Sequence, residues 1–286
     1  MRFARPDADI LAPDGTPPGR ALARTTHLCV GAHQDDIEIM AYAGISDCLG
    51  RADRFFSGVV VTNGAGSPRT GRYAAFSDAE MQTVRREEQR RAAVIGKYSL
   101  QLQLGHPSAD VKNPEIAGVR ADLAAIFGGC APQVVYLHNP ADKHDTHVAV
   151  LHRCIEAIRS LPRERRPRRV LGCEVWRDLD WVVDADKVAL DTGRKPELAD
   201  ALIRVFDSQI SGGKRYDKAV LGRRIANATY HQHHEVDAFE GVTWAIDLTP
   251  LVADDTLPLA DFTMGYVERL RADILARIGA FAVKRS

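Results

Sequence analysis

The chain has 286 residues, 45% hydrophobic and 27% charged, a composition that excludes a disordered or fibrous protein and fits an ordinary globular one. Thirty-eight basic residues balance 38 acidic ones, so the totals give no reason to expect a nucleic-acid partner. Five cysteines (Cys29, Cys48, Cys130, Cys154, Cys173) form no CxxC pair, are odd in number and sit partly in apolar runs. They predict a reduced, cytoplasmic setting and no disulfide framework. The N-terminal MRFARPDADILAPDG brings charge, proline and glycine before any apolar stretch, so neither a signal peptide nor a membrane anchor is expected.

Residues 1–24 read as an extended lead-in, with Pro6, Pro13, Pro17 and Pro18 opposing helix. THLCVGAH (26–33) is short, apolar and β-prone, a buried strand; helical spacing follows over 36–49 and stops at Gly50. FFSGVVVTNGAG (55–66) reads as a strand entering a glycine loop, 78–97 as a charged helix and 100–106 as a third strand. A helix over 115–127, a strand over 133–139, a helix over 145–160 and a strand over 169–176 continue the alternation. Beyond 177 the pattern loosens to a helix over 197–210, a polar stretch to about 240 and an amphipathic helix over 265–282. The alternation predicts an α/β fold: a Rossmann-like, mostly parallel sheet with helices on both faces. We expect one domain over 1–286, with the core in 25–176 and the segment 177–286 completing the pocket. Ligands of such sheets bind at the carboxyl ends of the strands, so the residues just after each strand carry the functional signal.

After the first of these strands stands His33-Gln34-Asp35-Asp36-Ile37-Glu38. A nucleotide-binding turn needs glycines at this point, so that phosphate can approach the helix N-terminus. Carboxylates and an imidazole would instead repel pyrophosphate and attract a cation, which relieves their crowding. The strand at 133–139 is followed by Asn139-Pro140-Ala141-Asp142-Lys143-His144-Asp145-Thr146-His147, with His144 and His147 on one face of a first helical turn. Two such clusters can converge, and they offer His33, Asp36 and His147 as a two-histidine, one-carboxylate set. Catalytic zinc takes three ligands of this kind and leaves a position for water.

HQDDIE resembles the HPDDxE signature of the PIG-L (LmbE-like) deacetylase family, and HDTH resembles its HxxH element. Arg85 to Glu88 with Ala92-Ala93 is similar to the family's RxxE…AA helix, TNGAG to its loop after the second strand, Asp207-Ser208-Gln209 to its late SQ element, and Asp237-Ala238-Phe239 to its acidic-x-Phe. The resemblance implies zinc-dependent removal of an acyl group, often acetyl, from the nitrogen of a glucosamine-type sugar, on a Rossmann-like fold. It implies His33, Asp36 and His147 as metal ligands, Asp35 as general base, His144 as stabiliser of the tetrahedral intermediate and Arg85 as a substrate contact. Gln34 replaces the family's usual proline, and HDTH lacks the Asp beside the last histidine, with Asp145 one place early.

The ion expected is zinc, with other divalent metals compatible with imidazole ligands. The partner expected is a small amide-bearing molecule, not nucleic acid or a membrane, and a homo-oligomer stays open. Two other functions compete: an amidase acting on a larger N-acyl or thiol-conjugate substrate, and a nucleotide-binding module without hydrolysis. The densest histidine cluster, His231, His233 and His234, reads as a polar surface or interface segment, and Gly64-Ala65-Gly66 as a tight turn near the active site. His106, Pro107 and Asp110 read equally as loop or pocket lining, and Trp176, Trp181 and Trp244 as core or pocket-wall aromatics.

Overall fold

A computed structural model describes residues 1–282. Eight strands form one sheet: β1 (Asp9–Leu11), β2 (His27–Gly31), β3 (Phe56–Thr62), β4 (Leu100–His106), β5 (Val134–His138), β6 (Arg169–Cys173), β7 (Val188–Asp191) and β8 (Val242–Asp247), in the order β1-β4-β3-β2-β5-β6-β8-β7. The five central strands, β4-β3-β2-β5-β6, are mutually parallel, while β1 and β8 pair antiparallel at the two sides. β2 and β3 are buried at every position because helices cover both faces, which is why they read as unbroken apolar runs.

The helices are α1 (Pro18–Ala23), α2 (Asp36–Met40), α3 (Tyr42–Cys48), α4 (Asp78–Ile95), α5 (Ser108–Lys112), α6 (Ala117–Gly129), α7 (Asp145–Arg159), α8 (Pro196–Arg204), α9 (Asp207–Gln209), α10 (Tyr216–Thr229), α11 (Thr249–Ala253) and α12 (Leu259–Ala280). α4 starts on a reciprocal capping box, in which Ser77 and Glu80 each satisfy the other's backbone N–H. Two hydrophobic clusters result, one centred on Leu28, Val59, Phe127 and Leu151, the other on Cys29, Ile37, Tyr42 and Phe206.

Several expectations need correction. The lead-in is extended at Asp9–Leu11, where Ile10 pairs with Leu102, but Pro18 opens α1, since the first helical position needs no N–H donor. The helix predicted over 36–49 breaks at Ala41. The one predicted over 197–210 stops at Arg204, and the polar stretch after it holds α10. α12 starts at Leu259, earlier than its periodicity suggested. β7 and β8 went unread because neither sits in a strand–helix alternation.

Chain order moves outward from β2 through β3 to β4, then returns to β5 on the other side of β2. The carboxyl ends of β2 and β5 therefore diverge at the switch point of the sheet, where connections leave a crevice.

Candidate active site

The turn after β2 and the loop after β5 meet in this crevice. His33 Nδ1 lies 3.2 Å from His147 Nε2, and Asp36 Oδ2 lies 3.4 Å from each of those nitrogens. Ligands held tetrahedrally around zinc at ~2.0–2.1 Å are separated by about 3.3 Å, so these three atoms already form one face of such a tetrahedron. Gly31 permits the tight return of the turn, since a Cβ there would sit 2.9 Å from the Cβ of Asp36.

Charge states fit a cation as well. Burial works against ionisation of Asp36, yet His147, His138 and His33 hold its carboxyl well below the usual range. Burial keeps His33 below its ordinary value despite Asp36, leaving its imidazole neutral and able to ligate. For His147 burial is outweighed by Asp36 and Asp142, and its pKa rises.

Two groupings of potential ligands exist among the described residues: His33, His144 and His147, and Asp36, His138 and His147. His138 was not anticipated. It lies within β5, and its Nε2 accepts the N–H of Ala32 at 3.0 Å while lying 3.5 Å from Asp36. That lone pair is occupied by the Ala32 N–H, so the neutral His138 fixes the backbone at the end of β2 and is poorly disposed to ligate. Asp142 is the second residue sequence reasoning passed over. Its Oδ2 accepts from His147 Nδ1 and from the N–H of Trp176, both at 3.2 Å, and its Oδ1 accepts the N–H of His144 at 3.1 Å. Asp142 thus fixes the His147 tautomer that leaves Nε2 free, whereas Asp145 is exposed. An Asp three residues after a strand end and five before a candidate ligand was the available signal.

Asp35 is buried beside this face without joining it. Its backbone has φ +96°, a strained conformation for a side-chain-bearing residue, held by its N–H bond to Gln89 Oε1. Burial raises its carboxyl pKa well above normal, opposed by Arg85, whose Nη2 lies 3.4 Å from Asp35 Oδ2. Arg85 also donates to the carbonyl of Gln34 and to Ser67 Oγ. Gly64, at φ +75°, lets the loop after β3 press on this group, since a Cβ would lie 2.6 Å from Gln34 Oε1. His144 caps α7: its Nδ1 accepts the N–H of Thr146 at 3.3 Å, so in the neutral ring Nε2 carries the proton.

Glu88 receives Ser208 through N–H and Oγ at 2.7 and 2.6 Å, which explains why the RxxE and SQ elements occur together: one anchors the other and seats Gln209 at the cleft. His106 is taken up by Asp122 at 2.8 Å, while Ser108 and Lys112 line the cleft in its neighbourhood. His231 lies tilted against Trp244, with ring centroids 4.8 Å apart, and His233 and His234 are exposed; none belongs to a ligand grouping among the described residues. Phe239 packs on the core and Trp176 lines the cleft.

Glu174, just past β6, is buried with Oε1 accepting the N–H of Trp244 at 2.9 Å and Oε2 unpartnered. Burial lifts its pKa from 4.5 to about 7. A folded-state value above the unfolded one adds stability that is complete below the unfolded pKa and disappears as pH rises through about 7. Glu174→Gln should remove that loss, giving on the order of 3 kcal/mol relative gain at pH above 8 and none near pH 4. Chemical denaturation of both proteins across this range tests it; parallel curves would show that Glu174 does not titrate there.

The model of the PIG-L family, described as GlcNAc-PI de-N-acetylase, matches residues 28–158. No curated protein matches the chain by sequence. Among solved structures, it is similar to the N,N'-diacetylchitobiose deacetylase of Pyrococcus horikoshii (17% identity, TM-score 0.61, 82% of this chain and 88% of that one). It is also similar to the 4-carboxy-2-hydroxymuconate hydratase of Pseudomonas putida (18%, 0.57, 78% and 96%) and to a conserved protein of Thermus thermophilus (17%, 0.58, 82% and 99%). At these identities the likeness establishes the fold, and a hydratase among the neighbours shows that the fold hosts more than one reaction.

Proposed function

We propose that the chain, whose residues 28–158 match the PIG-L family model, is a metal-dependent hydrolase removing an acyl group, acetyl in the simplest case, from the nitrogen of a glucosamine-type sugar. The observation that carries this reading is the ligand-spaced triangle of His33, Asp36 and His147 with an unligated, buried carboxyl, Asp35, beside it. A divalent ion at that face, zinc by the donor set, would polarise the amide carbonyl and acidify a water.

The remaining work falls to the protein. Asp35, kept from full ionisation by burial and tempered by Arg85, takes the proton of the attacking water and returns it to the leaving nitrogen. His144, whose neutral ring presents Nε2–H, donates to the carbonyl oxygen as it gains charge. Arg85 lines the cleft and offers its fork of donors to substrate oxygens at the edge nearest Ser67.

An amidase for a larger acyl group is favoured by one feature, a chamber of about 390 Å³ beyond Asp35 and Asp36, more than acetyl needs. Among the described residues no helix is long and apolar enough to cross a membrane.

Metal analysis with an amine-release assay on N-acetylglucosamine tests the proposal. One divalent ion per chain is expected, with chelation abolishing turnover and readdition restoring it. Full activity of a verified metal-free protein would end the hypothesis.

A further inference from the structure

The crevice divides at Asp35, Asp36, Trp176, Lys214 and Tyr216 into two chambers. One holds His33, His144 and Arg85. The other reaches past Asp36 to Glu174, with Ile39, Val175 and Val220 as apolar wall and Lys143, Lys214, Arg223 and Arg224 around it. Four cations thus border a space whose carboxylates are already engaged. Asp36 faces three imidazoles and Asp35 faces Arg85. Glu174 accepts the N–H of Trp244 and the amide of Asn227 through Oε1.

None of the four cations is ion-paired among the described residues. Arg223 donates only to the carbonyl of Val175, and Lys214 lies 4.9 Å over the ring of Trp176. Buried Arg224 donates to the carbonyls of Glu38 and Ile39, and its Nε has no partner. Those carbonyls, the ring of Tyr42 at 5.0 Å and nearby Glu174 already compensate Arg224, so Lys143, Lys214 and Arg223 are the cations left for a ligand. Lys143 and Lys214 are exposed, placing two mobile ammonium groups at the mouth.

We propose that this second chamber is a subsite for an anionic group on the substrate, a carboxylate or a phosphate, held by Lys143, Lys214 and Arg223. The proposal deepens the hydrolase reading and rests on it for the reacting centre next door. The apolar wall accommodates the linking segment.

The test measures binding by ultrafiltration of radiolabelled compounds, in the cold, on the metal-loaded protein. Three are compared: N-acetylglucosamine, N-succinylglucosamine, whose acyl group ends in a carboxylate, and N-acetylglucosamine phosphorylated on its primary hydroxyl. At least one anionic compound should bind about ten-fold tighter than the neutral one. Which of them wins places the anion on the acyl or the sugar side of the amide. The advantage should disappear in the Lys143→Ala/Lys214→Ala double variant and shrink in Arg223→Gln, with the neutral compound's affinity held within about two-fold. Equal binding of all three, no binding of either anionic compound, or an advantage that survives the double variant overturns the subsite. Tight, lysine-dependent binding without turnover of any compound would sink the hydrolase reading and leave the subsite standing.

Discussion

Asp35→Asn is expected to retain the metal while kcat falls by ~10²–10⁴-fold, the contribution of a positioned general base. Asp36→Asn is expected instead to weaken metal binding, with activity partly restored by excess zinc. The two carboxyls are sequence neighbours, yet their surroundings differ. Asp36 Oδ2 lies within 3.4 Å of nitrogens of both His33 and His147 and accepts the His33 N–H at 2.7 Å, so imidazoles surround its charge. Asp35 has Arg85 as its ion-pair partner, and burial, with Asp36, Glu38 and Glu88 nearby, raises its carboxyl pKa. A ligand must be ionised to bind, whereas a base whose pKa is raised from the ordinary carboxylate value can both take and return a proton. The pH–rate profile gives a second readout: the limb assigned to Asp35 should vanish in Asp35→Asn and survive, at high zinc, in Asp36→Asn. Loss of metal in Asp35→Asn with retention in Asp36→Asn would invert the assignment, and full activity of both would remove this turn from the active site.

Asp142→Asn is expected to lower metal affinity by roughly 10–100-fold, the usual effect of losing the partner that orients a ligating histidine. Its carboxylate holds the proton of His147 on Nδ1 and also accepts the N–H groups of Trp176 and His144. An amide can turn its NH₂ toward His147, which then protonates on Nε2, the atom needed for the metal. Saturating zinc should recover most of the activity, in contrast to Asp35→Asn, where it recovers none. A fall in melting temperature with unchanged metal affinity would make Asp142 a brace of the loop alone.

How much of this was legible beforehand depends on the range of each interaction. β2, β3, β5 and β6 were readable as short, mainly apolar runs between helical segments, whereas β4 is equally buried but carries Gln101, Gln103 and His106. HQDD and HDTH were readable because each packs several donors into one turn after a strand. Pro18 misled, since its effect on helix depends on position within it. VTWAI in β8 is equally buried, but only its antiparallel pairing with β6 and β7 gives it a place, and that pairing has no local signal.

The sequence by itself determined which groups could bind a cation and at which edge of the sheet, because residue chemistry and strand periodicity are local properties. The tertiary structure alone decided that His33 and His147, 114 residues apart, stand 3.2 Å from one another. It also decided that Asp142 orients one of them, that His138 holds the Ala32 N–H from inside a strand, and that Arg85 sits against Asp35. Those pairings follow from the strand order, which brings the ends of β2 and β5 to one crevice, and no spacing along the chain encodes it.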